Sequence, residues 1–491
     1  MATKLEPRTI DRLGIYGLIR PAEVDDSVIP EGAVTESVNF HFDRKGAATV
    51  RPGVAALGST VLASRPGVGL HNAQAGTPVV VFSNGSSSAI YSYSSGAWSI
   101  SLDGGTASVK IRFVDFGSYT IAINFIYNTY SSMRFWNAGS SRHWHFTGNP
   151  LNVQNMWGYT PQLGEVFKNR VYFAGDTSKE GNTSRLFFSS VISSTGRITF
   201  SPLVDYVDIN PGDGEGITAL RRYSLELLAI KPNYIYRFRT NLTDPDPLIK
   251  IGTRSQESVI EGKRGLYLHH DSGFYRYTGG YPVEISRPIS DIVQAIPFSQ
   301  FGEISGWNDS DHIFWSVGNL TITEAGLSQT WRNIVLRLTE SSDLWTVYSL
   351  AFDVRRAMTY ISGSSQSRIA ALDNGVVTTL DSGITDLGEP IEYWLRTKWY
   401  DWGSPSLMKI IEEISAICEK AQTMHIMYQV DEEQTWQTLG QLKKFSNFFR
   451  NLTIRFHRIR FRVIGTSRFE SAVFLGLNIL KGSVEGLVKE Q

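Results

Sequence analysis

Arg458, Arg460 and Arg462 alternate with Ile459, Phe461 and Val463. Alternate residues of an extended strand share a face, so the three guanidiniums would form one cationic stripe. Such a stripe can face phosphates, pair with acids across a subunit interface, or stand in solvent. The chain carries 47 Lys+Arg and 47 Asp+Glu, a formal net charge of zero. That balance weighs against a freely diffusing nucleic-acid binder, which usually has a basic excess.

Other candidates are weaker. His143 and His145 share a strand face and are two metal ligands at most, with no regularly spaced third. His269 and His270 point to opposite faces of a strand. Asp208, Asp213 and Glu215 sit in a Gly-rich stretch that could hold a hard cation, but the twelve-residue EF-hand pattern is absent and a turn is the simpler reading. Gln429 to Trp436 resembles the Asp-box turn of sialidase-type propellers, keeping Asp431, Thr435 and Trp436 but replacing Ser by Gln429 and Gly by Glu433. It keeps open a glycan-cleaving or glycan-binding reading, which would need two carboxylates flanking one sugar bond or an Arg cluster with a Tyr nucleophile. No G-x-S-x-G elbow, Walker loop or H-E-x-x-H is present. The residues point to no enzyme, no cofactor and no resident metal. The one cysteine, Cys418, excludes an intramolecular disulfide framework and reads as a buried structural residue.

The elements that position these residues read as strands. Hydrophobic residues make up 42% and aromatics 12% of the 491 residues, enough for large cores. Short β-branched or aromatic runs bounded by Gly, Ser, Asn or Asp dominate from about residue 68 to 480, and amphipathic helices are almost absent. Seven hairpins recur: Ile90–Trp98, Met133–Trp144, Leu186–Phe200 around Ser193–Gly196, one opened by Tyr234–Phe238, Gly273–Ile285, Val335–Tyr348, and Arg368–Leu380 around Asp373-Asn-Gly375. The Asn-Gly pair favours a two-residue type I′ turn. Equivalent positions lie about 45 residues apart on average, the blade spacing of a β-propeller. The expectation is an all-β chain: a β-propeller of six or seven irregular blades over 66–385, an N-terminal arm over 1–65, a C-terminal β-sandwich over 386–482, and a tail over 483–491.

Within the sandwich, Leu407, Ile410, Ile411, Ile414, Ile417 and Cys418 lie on one helical face, and Ser404-Pro405 is a good helix start. The periodicity there favours a helix. The N-terminal MATKLEPRTIDRLG lacks the apolar core of a signal peptide, and no stretch approaches the length needed to span a bilayer. A reducing, aqueous compartment is expected.

Several runs, taken in order, resemble the nozzle proteins (tail tubular protein B, tail accessory factors) of short-tailed bacteriophages. They are Val38–Gly46 with Arg51-Pro-Gly53, Lys168–Gly175 with Arg185–Ser190, and Asp213–Leu220 with Leu227–Phe238. Further along come Gly265–Leu268, Gly273–Tyr277, Ile285–Ile289, Tyr400–Pro405, Lys409 and Val430-Asp431. The resemblance implies a strand after Gly403, against the helical period. It also implies a structural virion protein with no catalysis, assembled in the host cytoplasm. Its subunits would close a hexameric ring below the tail adaptor and portal. The ring would extend the DNA channel, retain packaged DNA until ejection, and support fibres or spikes. The irregular blades and long tail depart from the pattern and leave the gate and the fibre attachment open. A cellular propeller scaffold is the further alternative.

Overall fold

The computed structural model describes residues 3–485, apart from 21–27, 43–45, 59–64, 74–75, 85, 127–132, 138–157, 180, 193–197, 240–244, 325–326, 363–364, 421–422, 432 and 468–471. Strands dominate. The one α-helix among these residues is Ser290–Gln294, and no helix is long and apolar enough to cross a membrane.

Seven antiparallel sheets follow one another along the chain. Blade 1 comprises Gly67–Ala73, Thr77–Ser83, Ser88–Ser94 and the first half of Ala97–Phe116. Blade 2 starts with the second half of that 20-residue strand and adds Tyr119–Ile126 and Met133–Asn137. A register shift between Ala107 and Arg112 lets one strand serve two blades. Blade 3 has first and last strands Leu163–Phe167 and Tyr206–Asp208, blade 4 Ala219–Tyr223 and Asp246–Ile249, blade 5 Ile260–Glu261 and Val283–Glu284, and blade 6 Ser305–Asn308 and Leu344–Ser349. Blade 7 takes Val354–Ser362, Ser365–Leu372 and Val377–Leu380, and its fourth strand is Val54–Ala56, from near the N-terminus. The first strand of blade 7 packs on that of blade 1, so the ring closes.

Each seam is a hydrophobic cluster shared by two blades, because a four-stranded blade cannot cover both of its own faces. Ala122 and Phe125 meet Val79 and Ile90 between blades 1 and 2. Val171 and Phe173 meet Ile121 and Ile123 between blades 2 and 3. Leu220 and Leu227 meet Tyr172 and Leu186 between blades 3 and 4, and Leu266 and Tyr277 meet Ala219 and Leu228 between 4 and 5. Trp315 and Trp345 of blade 6 pack on Tyr267 and Phe274 of blade 5. Phe314 and Val335 meet Val354 and Leu372 between 6 and 7, and Ala371 and Val377 meet Val80 and Phe82 at the closing seam.

The seven hairpins read from the sequence fall in seven different blades. Two details differ. Ile198 and Phe200 are buried but not in a strand; the strand Arg185–Phe188 pairs instead with Tyr206–Asp208. At Asp373-Asn-Gly375 only Gly375 has a positive φ (80°), and Leu372 N donates to Val376 O. This is a three-residue loop with a left-handed glycine, not a type I′ turn. The second arm of the Met133–Trp144 hairpin, with His143 and His145, lies outside the described residues.

The sandwich pairs two sheets. One holds Met408–Lys420, Phe445–Phe449, Ile454–Phe456 and Val473–Glu485; Thr3–Lys4, Arg8–Asp11, Phe40–Phe42 and Ala48–Val50 also join it. The other holds Val34–Val38, Glu389–Thr397, His425–Val430, Gln437–Gln441 and Ile459–Ser467. Strand Val34–Val38 also bridges to blade 6 through Val38 and Val347, so the second sheet runs without a break into the propeller. The 1–65 segment is thus divided between both units. Residues 483–485 belong to the last sandwich strand.

Met408–Lys420 is a strand, as the resemblance implied and the periodicity did not. Register shifts at Glu413 put Ile411 and Ile414 on the same buried face although three residues apart. A bulge thereby imitates the helical repeat.

Candidate functional site

The arginine stripe lines a cleft of about 600 Å³ between blade 6 and the sandwich. Ile459, Phe461 and Val463 are buried in the sandwich core, which turns Arg460 and Arg462 outward to the cleft. The opposite wall is the middle hairpin of blade 6, His312–Glu324 and Leu327–Thr339. Its 13-residue strands outrun the other blade strands around them and carry Glu324 to the arginines.

Glu324 accepts Arg396 Nη1 at 2.7 Å and Arg460 Nη1 at 3.0 Å, and Arg20 Nη2 lies at 3.3 Å. Glu36, almost fully buried, faces Arg396 at 3.3 Å and Arg462 at 3.8 Å and accepts Trp394 Nε1 at 2.5 Å. Arg460 Nε also donates to Gln429 Oε1 at 2.8 Å, and Arg20 holds Asp291. Burial alone would raise the Glu324 carboxyl. Arg396 and Arg460, with Arg20, outweigh that and hold it down at about 2. Arg460 and Arg462 therefore find acids within the same chain, while Arg458 stays exposed.

Tryptophans interleave the guanidiniums. Arg458 and Arg460 lie over Trp399 at 4.8 and 4.4 Å, and Arg460 and Arg462 over Trp436 at 5.4 and 5.7 Å. Arg462 also approaches Trp394, which meets Trp331 edge-on at 6.1 Å, and Arg20 covers Trp331. These faces are occupied by cations of the chain itself. The cleft is a clasp of charge and aromatic contact between two units, with only Arg458 well exposed on the stripe.

The other sequence candidates also resolve into structural contacts. Fully buried Lys231 places its ammonium 2.7 and 2.8 Å from the two oxygens of Asp213. Glu215 accepts Asn233, and Asp208 pairs with Arg185 at 2.7 Å. The three acids do not converge on one point, and no group of metal-ligating side chains occurs among the described residues. His269 is buried against Phe274 and Phe301, while His270 faces Ser272 and Tyr275. Asp431 Oδ1 accepts the backbone N–H groups of His457 and Arg458, the work of a folding turn. Cys418 is buried and its Sγ donates to Lys443 O.

Sequence reasoning missed Glu324, Glu36, Arg20, Arg396 and Trp331. The two over-long strands of blade 6 were the one local signal.

A second junction lies at Arg51-Pro-Gly53. Arg51 makes a bidentate pair with Asp386 at 2.8 and 2.5 Å and also donates to Asn39 Oδ1 at 2.8 Å and Ser349 O at 3.0 Å. A Cβ at residue 53 would sit 2.1 Å from Thr385 O, so only glycine allows this approach. The next residues are the closing strand of blade 7.

No family model matches the chain, and no curated protein does. Among solved structures it is similar to the extracellular domain of a protein described as a hybrid two-component system from B. thetaiotaomicron. That likeness has a TM-score of 0.41 and 9% identity, and covers 67% of this chain and 40% of that one. A second structure of that extracellular domain, described as a one-component system, gives 0.39, 9%, 67% and 40%. The chain spans about 40% of the length of both. The β-propeller domain of Cps50 (Swd1) from Myceliophteria thermophila gives 0.39 and 8%, covering 68% of this chain and 99% of that one.

Proposed function

We propose that this chain is a structural virion protein, a nozzle subunit of a short-tailed phage. Copies of it would close a ring, six-membered as the resemblance implies, below adaptor and portal. The observation that carries this reading is the fusion of propeller and sandwich into one stiff body. A single sheet runs from blade 6 through Val34–Val38 into the sandwich, and the Glu324 and Arg51 junctions brace it on either side. A rigid block with two different docking faces is what a ring of heterologous contacts requires.

The propeller's own axis would not carry DNA. Arg112 of blade 2 contacts Glu257, which leads into blade 5, at 2.7 Å, and these blades are not neighbours. Lys110 reaches Glu303 at 3.2 Å beside them. Genome would pass through the ring between subunits, retained by loops that later move. The two-carboxylate form of the glycan-cleaving alternative needs a carboxyl that stays protonated near neutrality. The cleft instead holds Glu324 at about 2.

The test is assembly. Purified protein should be monomeric or weakly associating, and should form rings, visible by negative-stain electron microscopy, when mixed with the adaptor–portal complex of its phage. A monomer that never joins the complex or phage particles overturns the reading.

A further inference from the structure

Resting on the ring-forming reading, we propose that one contact between neighbouring copies joins the sandwich edge strand Phe445–Phe449 of one to the rim of blade 3 around Leu203, Val204 and Asp205 of the next. Both are open sheet edges. Counted away from blade 6, the second sandwich sheet ends at Gln437–Gln441, and after residues 442–444 Phe445–Phe449 forms the end of the first sheet. A Cβ at Gly440 would meet Phe449 Cε1 at 2.6 Å, so the two end strands close into one flank. Among the described residues no strand pairs with the outer side of Phe445–Phe449.

This flank is aromatic and basic. Phe445 and Phe448 are 66% and 54% exposed, with Lys444 over the first ring and Arg450 over the second. Glu413 holds Arg450 at 2.9 Å. Lys443 and Lys444 make no ion pair among the described residues, and they outnumber the one free acid of the adjoining strand, Glu419. Exposed rings bordered by unpaired charge of one sign mark a contact surface for a partner of the other sign.

The rim of blade 3 is aliphatic and acidic. Leu203 and Val204 are adjacent and 79% and 72% exposed, in a turn that Val204 N closes on Ser201 O before the edge strand Tyr206–Asp208. Arg185 takes Asp208, but Asp205 has no side-chain partner among the described residues. A rival apolar pair at the rim of blade 5, Tyr281 and Val283, stands beside Glu284, which Arg287 already holds at 3.0 Å. In a ring of seven, blades 2 and 3 lie farthest from blade 6, whose outer strand carries the sandwich. The two complementary edges therefore stand at opposite ends of a copy. They do not meet within it, and they join one copy to the next head to tail, the heterologous contact that a ring repeats.

Cross-linking of the full chain tests this, because it traps a weak association. Val204→Cys and Ser446→Cys are made in separate chains; the native Cys418 is buried. A flexible bis-maleimide should give a dimer in the mixture of the two and none above the wild-type background in either alone. Lys443→Glu with Lys444→Glu in the Ser446→Cys chain should cut that dimer by roughly ten-fold or more. Asp205→Lys in the Val204→Cys chain should then restore it, and Tyr281→Glu should leave it unchanged. No mixed dimer, an equal dimer in the single variants, or no rescue by the charge exchange overturns the contact. A mixed dimer from protein that forms no ring on the adaptor–portal complex upholds the contact and overturns the ring. Rings that form without this cross-link do the reverse.

Discussion

Arg460 donates Nη1 to Glu324 Oε1 at 3.0 Å, joining a strand of the sandwich to the hairpin of the sixth blade across 136 residues of sequence. The same carboxylate takes Arg396, so one side chain holds two strands of the second sheet against the propeller. Glu324→Gln should lower stability by about 1–2 kcal/mol, the range of a charge-assisted contact discounted for partial exposure. Urea titration checks this. The loss should shrink at high salt, where the wild-type clasp is itself screened.

The Arg51–Asp386 pair is of another kind, because both side chains are about 2–3% exposed. Arg51→Met would leave Asp386 charged and buried, at a cost of about 3–5 kcal/mol. Replacing both, with Asp386→Leu added, should recover much of that. A double-mutant cycle by chemical denaturation measures the coupling, and additive single effects would show that the pair does not act as a unit.

Acid should weaken the fold in two stages. Burial pushes His269 down to about 3 from an ordinary 6.5, so the unfolded chain takes up this proton first. Its contribution is complete above pH 6.5 and is lost as pH falls toward 3. Against their burial, Glu324 is held down to about 2 by Arg396 and Arg460, and Asp309 to about 2 chiefly by His312, with Arg368 assisting. Their contributions are present above pH 4.5 and lost between there and 2. Thermal melts from pH 7 to 2 should show both stages, and His269→Phe should shrink the upper one, leaving the part due to His270, which burial also lowers, and should spare the lower one.

Lys231 supplies the positive charge in the loop where a metal ion was conceivable. Calcium or magnesium should therefore leave the melting temperature unchanged. Lys231→Met should destabilise by about 3 kcal/mol or more, since it strips Asp213 of its partner.

What was legible in the sequence follows the range of each interaction. Hairpins such as Gly273–Ile285 announce themselves because turn chemistry and alternation are local. The sharing of Ala97–Phe116 between two blades was not visible, because a bulge leaves only a weak local trace. The helical pattern at Leu407–Cys418 misled for the same reason, and only the resemblance corrected it. Of the cleft, Arg458, Arg460 and Arg462 could be read from their alternation. Glu36 and Glu324 could not, because the pairing of distant strands decides which acids arrive there.

The closing strand Val54–Ala56 has a consequence for how the protein is made. It leaves the ribosome early and must wait until Val377–Leu380 has been synthesised before it has a place to pair. Thr3–Lys4 and Arg8–Asp11 wait longer still, for Val473–Glu485. Translation must pass residue 380 before the propeller is sealed and reach the Val473–Glu485 strand before the sandwich is, so a prematurely released polypeptide would expose raw sheet edges to proteases and to its neighbours.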